Sequence, residues 1–494
     1  MSKNKSYSLK EQVGYLFSGK VIALGIQFLM PVVLVRLIDK SDYGAYLQFI
    51  LIGQFLCTVL TFALPTSLYF FYPNAKEKLY QLISQTYFLI LAISILFIPI
   101  YLIFGNYLVV FFDDLQFNSL YYALGIYVFV RTMCLLLEHL FIVEQKSNHV
   151  IYYNVLYTSA RVSFLIGAFL IFGSILAMFW ALVILHFITS VYLIFYLRKN
   201  YSLNLKIRDW KRYYFKSQMK YIYPLALGEI VNNIGKRADK FILSMYFAAS
   251  DFAIYSIANL KIPIVNILFP SVSNVIVPQI SKYHHDGNYI EVKNLWHKMI
   301  NGLFTISAPF VVFFFVIAKP LIIFLYTEDY VEAVPIYRII LLTIFTLTLR
   351  GTAVLMAFGK TKFIFITQLT TMILNIAGAY VFINLFGILG AAFSLIFVAA
   401  IREFMLIFKT KRLLGLSFNN WLPWKNLFNI LLYSLIPLPF ILPLALLNMP
   451  HFFFLSLSFL IYLMIIMTIY HKTKVLDLAI VKNKLTNFII RKND

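Results

Sequence analysis

Residues 219–247 read MKYIYPLALGEIVNNIGKRADKFILSMYF. A helix needs roughly 20 mostly apolar residues to cross a bilayer, and this stretch is long enough. Yet its middle carries Glu229, Asn232, Asn233, Lys236, Arg237, Asp239 and Lys240. On a helical projection these polar groups fit an arc of about 160°, with Val231, Ile234, Ala238, Phe241 and Ile242 opposite. In lipid such a face must meet water, a ligand or other polar protein groups. One reading is an internal salt-bridge network, pairing Glu229 with Lys236 and Asp239 with Lys236 or Lys240. It leaves a surplus, because the stripe holds three cations and two acids.

The rest of the chain has the same character. Its 494 residues are 61% hydrophobic and 13% charged, which places it in the membrane class. Fourteen segments are apolar and long enough to span: 14–38, 43–72, 80–104, 119–142, 150–173, 174–197, 219–247, 252–281, 297–318, 332–358, 361–385, 388–408, 426–447 and 450–470. The expected fold is an all-α polytopic membrane protein of about fourteen transmembrane helices. The turn between the fifth and sixth segments, at Gly173-Ser174, is minimal.

The net charge of +22 lies mostly in short loops, which argues against nucleic acid. With both termini inside, the inner segments carry 29 Lys/Arg and the outer loops three, namely Arg36, Lys40 and Lys319. The outer loops hold eight acids, among them Asp113, Asp114, Glu328, Asp329 and Glu332. This asymmetry obeys the positive-inside rule and supports cytoplasmic N- and C-termini. The basic inner loop 198–218 reads as a topology anchor on anionic headgroups, with docking of a cytoplasmic partner as the alternative. The N-terminus shows no small-residue cleavage site after a short apolar core, so no removable signal peptide is expected. Cys57 and Cys134 fall in apolar segments and imply no disulfide framework.

Ten cations sit inside the spanning segments: Lys20, Arg131, Arg161, Lys236, Arg237, Lys240, Lys261, Arg338, Arg350 and Arg402. Each costs about 2.5–3.5 kcal/mol on insertion scales. Only four acids accompany them, Glu138, Glu229, Asp239 and Glu403. The excess points to a wet interior that receives something anionic. Lys20, Arg338 and Arg402 lie near segment ends, where long side chains snorkel to headgroups. Arg131, Arg161, Lys236, Arg237, Lys240, Lys261 and Arg350 are deeper. Glu138 lies seven residues after Arg131 on the same face and reads first as its counter-ion, with a proton- or sodium-responsive carboxylate as the alternative. His139 and His186 read as packing histidines rather than metal ligands. Pro263, Pro270 and Pro278 imply kinks in one helix. The chain shows no metal-ligand spacing, nucleotide loop, nucleophile elbow or paired catalytic carboxylates, so neither an enzyme nor a cofactor is expected.

A short repeat is present. Ser41-Asp42-Tyr43-Gly44-Ala45-Tyr46 and Ser250-Asp251-Phe252-Ala253-Ile254-Tyr255 share the pattern Ser-Asp-aromatic-small-x-Tyr at an offset of 209 residues. Each copy sits in an outer loop between paired helices, and a proline follows late in the next helix, Pro65 or Pro278. An offset of six segments preserves orientation, so the repeats are parallel and the substrate path is expected between two lobes. Organisation follows: an N-lobe at 1–197, the linker 198–218, a C-lobe at 219–412, and two further helices with a basic tail at 413–494.

The stretch Leu34-Val-Arg-Leu-Ile-Asp-Lys-Ser-Asp-Tyr-Gly-Ala-Tyr46 resembles the first-loop signature of polysaccharide transporters. So does the run from Tyr223-Pro224 through Arg237-Ala-Asp239-Lys-Phe-Ile-Leu to Asp251-Phe-Ala-Ile-Tyr255. The chain is similar, over about residues 10–470, to the O-antigen (Wzx-like) branch of the multidrug/oligosaccharidyl-lipid/polysaccharide flippase superfamily. It departs at Ala253, where glycine is usual. The resemblance implies two pseudo-symmetric six-helix lobes plus two C-terminal helices around a central cationic cavity. It implies alternating access that moves an undecaprenyl-pyrophosphate-linked glycan from the cytoplasmic to the outer leaflet of a bacterial inner membrane. Lys20, Lys236, Arg237, Lys240 and Lys261 would then face the cavity. The bilayer and other glycan-assembly membrane proteins are the further partners considered, proton or sodium coupling stays open, and a monomer is expected because each chain already holds both lobes. A drug–cation antiporter and a peptidoglycan-precursor flippase are the rival members of the superfamily; an antiporter would show a net acidic cavity.

Overall fold

The computed structural model describes residues 9–75, 78–105, 107, 115–201, 212–259, 263–447 and 449–473, without the side chains of 9–21, 74, 115–119, 147, 212–214 and 263–267. Among the described residues all regular structure is helical. The helices are α1 Leu9–Leu37, α2 Lys40–Thr61, α3 Leu64–Ala75, α4 Leu79–Phe104, α5 Leu115–Cys134, α6 Leu136–Val143, α7 Ser147–Phe172, α8 Ile175–Tyr201, α9 Arg212–Tyr246 and α10 Ala249–Ala258. They continue as α11 Pro263–His285, α12 Tyr289–Val316, α13 Ala318–Tyr326, α14 Ala333–Thr348, α15 Gly351–Ala357, α16 Thr361–Phe386, α17 Ile388–Leu413, α18 Trp424–Leu435 and α19 His451–Lys472, with one further α-helical turn, Leu438–Ile441, between the last two. Among the described residues, eleven spans are long and apolar enough to cross a membrane. The other expected segments correspond to α1, to α9 and to α10 with α11. The chain is a multi-pass membrane protein.

The minimal turn after the fifth segment is real. α7 ends at Phe172, Gly173 takes φ +60°, and α8 begins at Ile175. That left-handed conformation is open to glycine without a Cβ penalty.

Several expected rods are broken. Segment 43–72 divides into α2 and α3 at Phe62 and Ala63, whose φ values are 45° and 54°. Hydropathy cannot register this break, because both residues are apolar. Pro65 therefore starts a new helix, while Pro270 and Pro278 lie inside α11. Segment 119–142 becomes α5 and α6, 252–281 becomes α10 and α11, and 332–358 becomes α14 and α15. At the last break Arg350 is left-handed, with φ 49°.

The two repeat copies open helices rather than lie in loops. Asp42 sits in the first turn of α2 and Asp251 in the first turn of α10. An acid there complements the positive end of the helix dipole. Gly44 packs against the backbone of Ala249: a Cβ built on it would come within 1.7 Å of the Ala249 carbonyl oxygen.

The chain forms two compact units, Met1–Ile254 and Tyr255–Asp494. In the first, Tyr46, Phe49, Tyr127 and Phe179 are almost fully buried. They clasp α2, α5 and α8, with the Phe49 and Phe179 ring centroids 3.9 Å apart. α9 is joined to this unit by Gln218, whose Nε2 donates to Ser67 Oγ at 2.8 Å and Thr86 Oγ1 at 2.9 Å. Gln218 is fully buried, and each satisfied donor avoids a desolvation penalty of about 1–3 kcal/mol. In the second unit α16 and α17 pack as neighbouring helices, with α14 against α17 and α12 against α11, α14 and α18.

Candidate functional site

Three helical faces of the first unit line one cavity of about 440 Å³. α2 contributes Gln54, Cys57, Thr58 and Thr61. The break after α2, with the start of α3, adds Ala63, Pro65 and Thr66. α5 supplies Arg131, the break after it Leu135 and α6 His139, while α9 supplies Glu229, Asn233 and Arg237. Glu229, Asn233 and Arg237 are spaced i, i+4, i+8 and form a ridge along one face of α9.

Two guanidinium groups enter this cavity on uncharged partners. Arg237 Nη2 donates to Gln54 Oε1 at 3.2 Å. Arg131 Nη1 lies 3.0 Å from His186 Nε2 and 3.4 Å from the Tyr157 hydroxyl. Its guanidinium carbon sits 5.7 Å from the centre of the Tyr127 ring. Neither arginine joins an ion pair among the described residues. Their charges are therefore held in place without being neutralised locally.

The other walls are polar and self-satisfied on the donor side. Thr58 Oγ1 donates to the Gln54 carbonyl and Thr61 Oγ1 to the Cys57 carbonyl, both at 2.9 Å. Each hydroxyl keeps acceptor lone pairs. Asn233 Nδ2 donates to the Glu229 carbonyl at 2.9 Å. The Glu229 carboxylate meets the Thr66 hydroxyl. His139 Nδ1 lies 3.1 Å from the Leu135 carbonyl, and its ring stacks on Tyr69 with centroids 5.5 Å apart. Glu229 and Arg237 are separated by two helical turns, about 12 Å of rise. The cavity is thus graded: the Arg237 guanidinium lies at Gln54, and the carboxylate lies near the α2–α3 break.

Of the residues expected from sequence, this cavity gathers Arg131, Glu229, Asn233 and Arg237. Asn232, Lys236, Asp239 and Lys240 share α9 but lie outside its lining. Lys236 is exposed, whereas Asp239 is 1% exposed. The polar arc is therefore not uniformly wet. Arg161 Nη2 donates to the Tyr46 hydroxyl at 2.9 Å, gripping the last residue of the first repeat copy. Arg350 belongs to the second unit, where it lies 5.5 Å from the Phe269 ring centre. The side chain of Lys20, all of Lys261, the pair Asp113-Asp114, linker residues 202–211 and the tail from 474 lie outside the described residues.

The counter-ion expectation for Glu138 is corrected. Its Oε1 accepts from Asn154 Nδ2 at 3.2 Å, and no ion pair joins it to Arg131. Seven residues along a helix amount to about 10 Å of rise, so neighbours across the bundle are nearer than that shared face. His186 is a packing histidine, as expected, at 1% exposure. His139, placed in packing with it, also lines the cavity. Gln54, Thr58, Thr61 and Thr66 were missed. The signal was there, since Gln54, Thr58 and Thr61 recur at i, i+4 and i+7 within an apolar span.

A family model described as "Polysaccharide biosynthesis protein" matches residues 33–335, more than half of the chain. No curated protein matches it. Among solved structures, the lipid II flippase MurJ in its inward closed conformation is similar at a TM-score of 0.72 and 17% identity, over 94% of this chain and 99% of that one. A multidrug resistance MATE family transporter in an inward-facing conformation gives 0.59 at 13% identity, over 84% and 96%. A MOP superfamily transporter from Pyrococcus furiosus gives 0.55 at 13% identity, over 82% and 96%. Identities this low speak for the fold, and the fold agrees with the resemblance read from the signature loops. The chain belongs to the polysaccharide biosynthesis protein family and carries the fold of the MOP-superfamily transporters.

Proposed function

We propose that the chain is a flippase that moves an undecaprenyl-pyrophosphate-linked oligosaccharide from the cytoplasmic to the outer leaflet by alternating access. The cargo would be an O-antigen, capsule or exopolysaccharide repeat unit. One observation carries the reading: Arg131 and Arg237 line a cavity on neutral partners, with their charge unspent. Guanidinium forks suit phosphate oxygens, and such charge-assisted bonds are roughly twice as strong as neutral ones. A cavity of about 440 Å³ suits a pyrophosphate and its first sugar, with the acceptor-rich threonine wall beside the sugar. The lipid tail stays in the bilayer. No covalent step is needed, because the carrier only lowers the barrier to moving a polar head through hydrocarbon.

The membrane is taken to be the bacterial inner membrane, with both termini cytoplasmic, on the strength of the 29-to-3 split in basic residues. A peptidoglycan-precursor cargo is the second reading, favoured by the likeness to the lipid II flippase. A drug–cation antiporter fits less well, since two guanidinium groups face one carboxylate in the cavity lining. Glu138, held by Asn154, and Glu229 are the carboxylates offered for proton or sodium coupling.

The test is binding of undecaprenyl pyrophosphate to the purified full chain, with undecaprenol as the uncharged control. The pyrophosphate should bind, and Arg131→Ala and Arg237→Ala should each weaken it about tenfold or more with folded protein retained. Equal affinity in wild type and both variants would reject the site. Neighbouring glycosyltransferase genes would favour a glycan over the peptidoglycan precursor.

A further inference from the structure

We propose that His186, together with Tyr157, is a positioning residue that holds Arg131 in the cavity through an uncharged acceptor and so preserves the full guanidinium charge for an anionic ligand. This rests on the reading of the cavity as an anion site.

His186 lies on α8, away from the cavity lining, at 1% exposure. Its Nδ1 is 2.6 Å from the Leu182 carbonyl, one turn back on the same helix. A carbonyl only accepts, so this nitrogen carries the proton. Nε2 is 3.0 Å from Arg131 Nη1. A guanidinium only donates, so Nε2 presents its lone pair and the ring is neutral. The network thereby assigns the tautomer. Tyr157, on α7, closes a triangle: its hydroxyl is 2.8 Å from the same Nε2 and 3.4 Å from Nη1.

A guanidinium buried in a spanning bundle needs a partner, and a carboxylate is the usual one. Here the partner is an imidazole. It fixes the position of the group and removes none of its charge. The fork also remains partly unused, because the buried Nε of Arg131 meets no protein acceptor among the described residues. An anion arriving in the cavity therefore finds an oriented cation that has no competing counter-ion.

The experiment is undecaprenyl pyrophosphate binding by the purified full chain carrying His186→Gln, His186→Glu, Tyr157→Phe or Arg131→Ala, with thermal stability measured in parallel. Gln supplies a neutral acceptor of similar reach, and His186→Gln should stay within about threefold of wild type. His186→Glu should keep or raise thermal stability by pairing with Arg131, yet weaken binding about tenfold or more. Tyr157→Phe should weaken binding by about threefold. Equal losses in His186→Gln and His186→Glu would mean that His186 supplies shape alone, and would overturn the proposal. Wild-type affinity in His186→Glu would overturn it as well. If His186→Glu fails to fold, Tyr157→Phe decides, and wild-type affinity there refutes the cradle. Arg131→Ala separates the two readings. Binding equal to wild type in that variant sinks both, whereas weak binding there beside normal binding in His186→Glu sinks only the cradle.

Discussion

In the first unit, Arg131, Arg161 and Arg237 rest on uncharged groups: His186 and Tyr157, Tyr46, and Gln54. In the second unit, Arg402 rests on a carboxylate, with its Nη2 2.9 Å from Glu403 Oε1. Arg338 there donates through Nε to the Phe315 carbonyl at 3.0 Å, in the last turn of α12, and stacks over the Phe315 ring at 5.4 Å. A helix C-terminus is a favourable place for a cation. The same residue type thus has two uses inside one membrane protein. Where a carboxylate or a helix end takes up the charge, the arginine serves the scaffold. At Arg131 and Arg237 neutral acceptors hold the group in a cavity wall, the arrangement on which the proposed anion site rests, whereas Arg161, with an equally neutral partner, lies outside that lining and grips Tyr46. Counting embedded cations cannot separate the two; their partners and their place in the cavity lining together can.

The sharpest way to break this contrast is the double variant Arg131→Ala/Arg237→Ala. Undecaprenyl pyrophosphate affinity should fall by about 100-fold or more, since each charged contact is worth about 1.5–3 kcal/mol, while thermal stability changes little. A fall in stability with no change in affinity would reverse the roles assigned to the two sets. Next in size is Glu403→Ala. It strips the partner from Arg402 and should lower the thermal midpoint by several degrees, as a loss of about 1–3 kcal/mol would, and leave affinity within about twofold. Glu403 is 4% exposed, so its partner loss is felt in a mostly buried setting. The smallest effect is Arg338→Ala, which should cost about 0.3–1 kcal/mol in denaturant titration with affinity unchanged. A large affinity loss from either second-unit variant would end the division of labour.

Much of the fold was legible from chain pattern alone. Hydropathy located the spans, and the Gly173 turn separated two helices that a longer apolar run would have merged. The helix breaks were not legible. Phe62, Ala63 and Arg350 adopt left-handed backbone without glycine, a conformation set by tertiary contacts rather than by residue type. Within the site, the stripe on α9 pointed to Glu229, Asn233 and Arg237 because period and polarity are one-dimensional properties. His139 and the hydroxyls of α2 stayed hidden, since their significance comes from which helices pack together. The seven-residue spacing of Arg131 and Glu138 misled for a related reason: a shared face does not mean contact when two turns intervene.

The close approach of Gly44 to Ala249 bears on how a duplicated signature ages. Gly44 has no positive φ, so its backbone shape does not demand glycine; the neighbouring chain does, by occupying the space a methyl group would take. The equivalent position in the later copy, Ala253, is completely buried and accommodates its methyl. The backbone that Gly44 meets stands one residue ahead of the second copy, so the demand for room falls on the first copy alone. A side chain at position 44 would have to push that backbone aside, whereas position 253 already houses a methyl group.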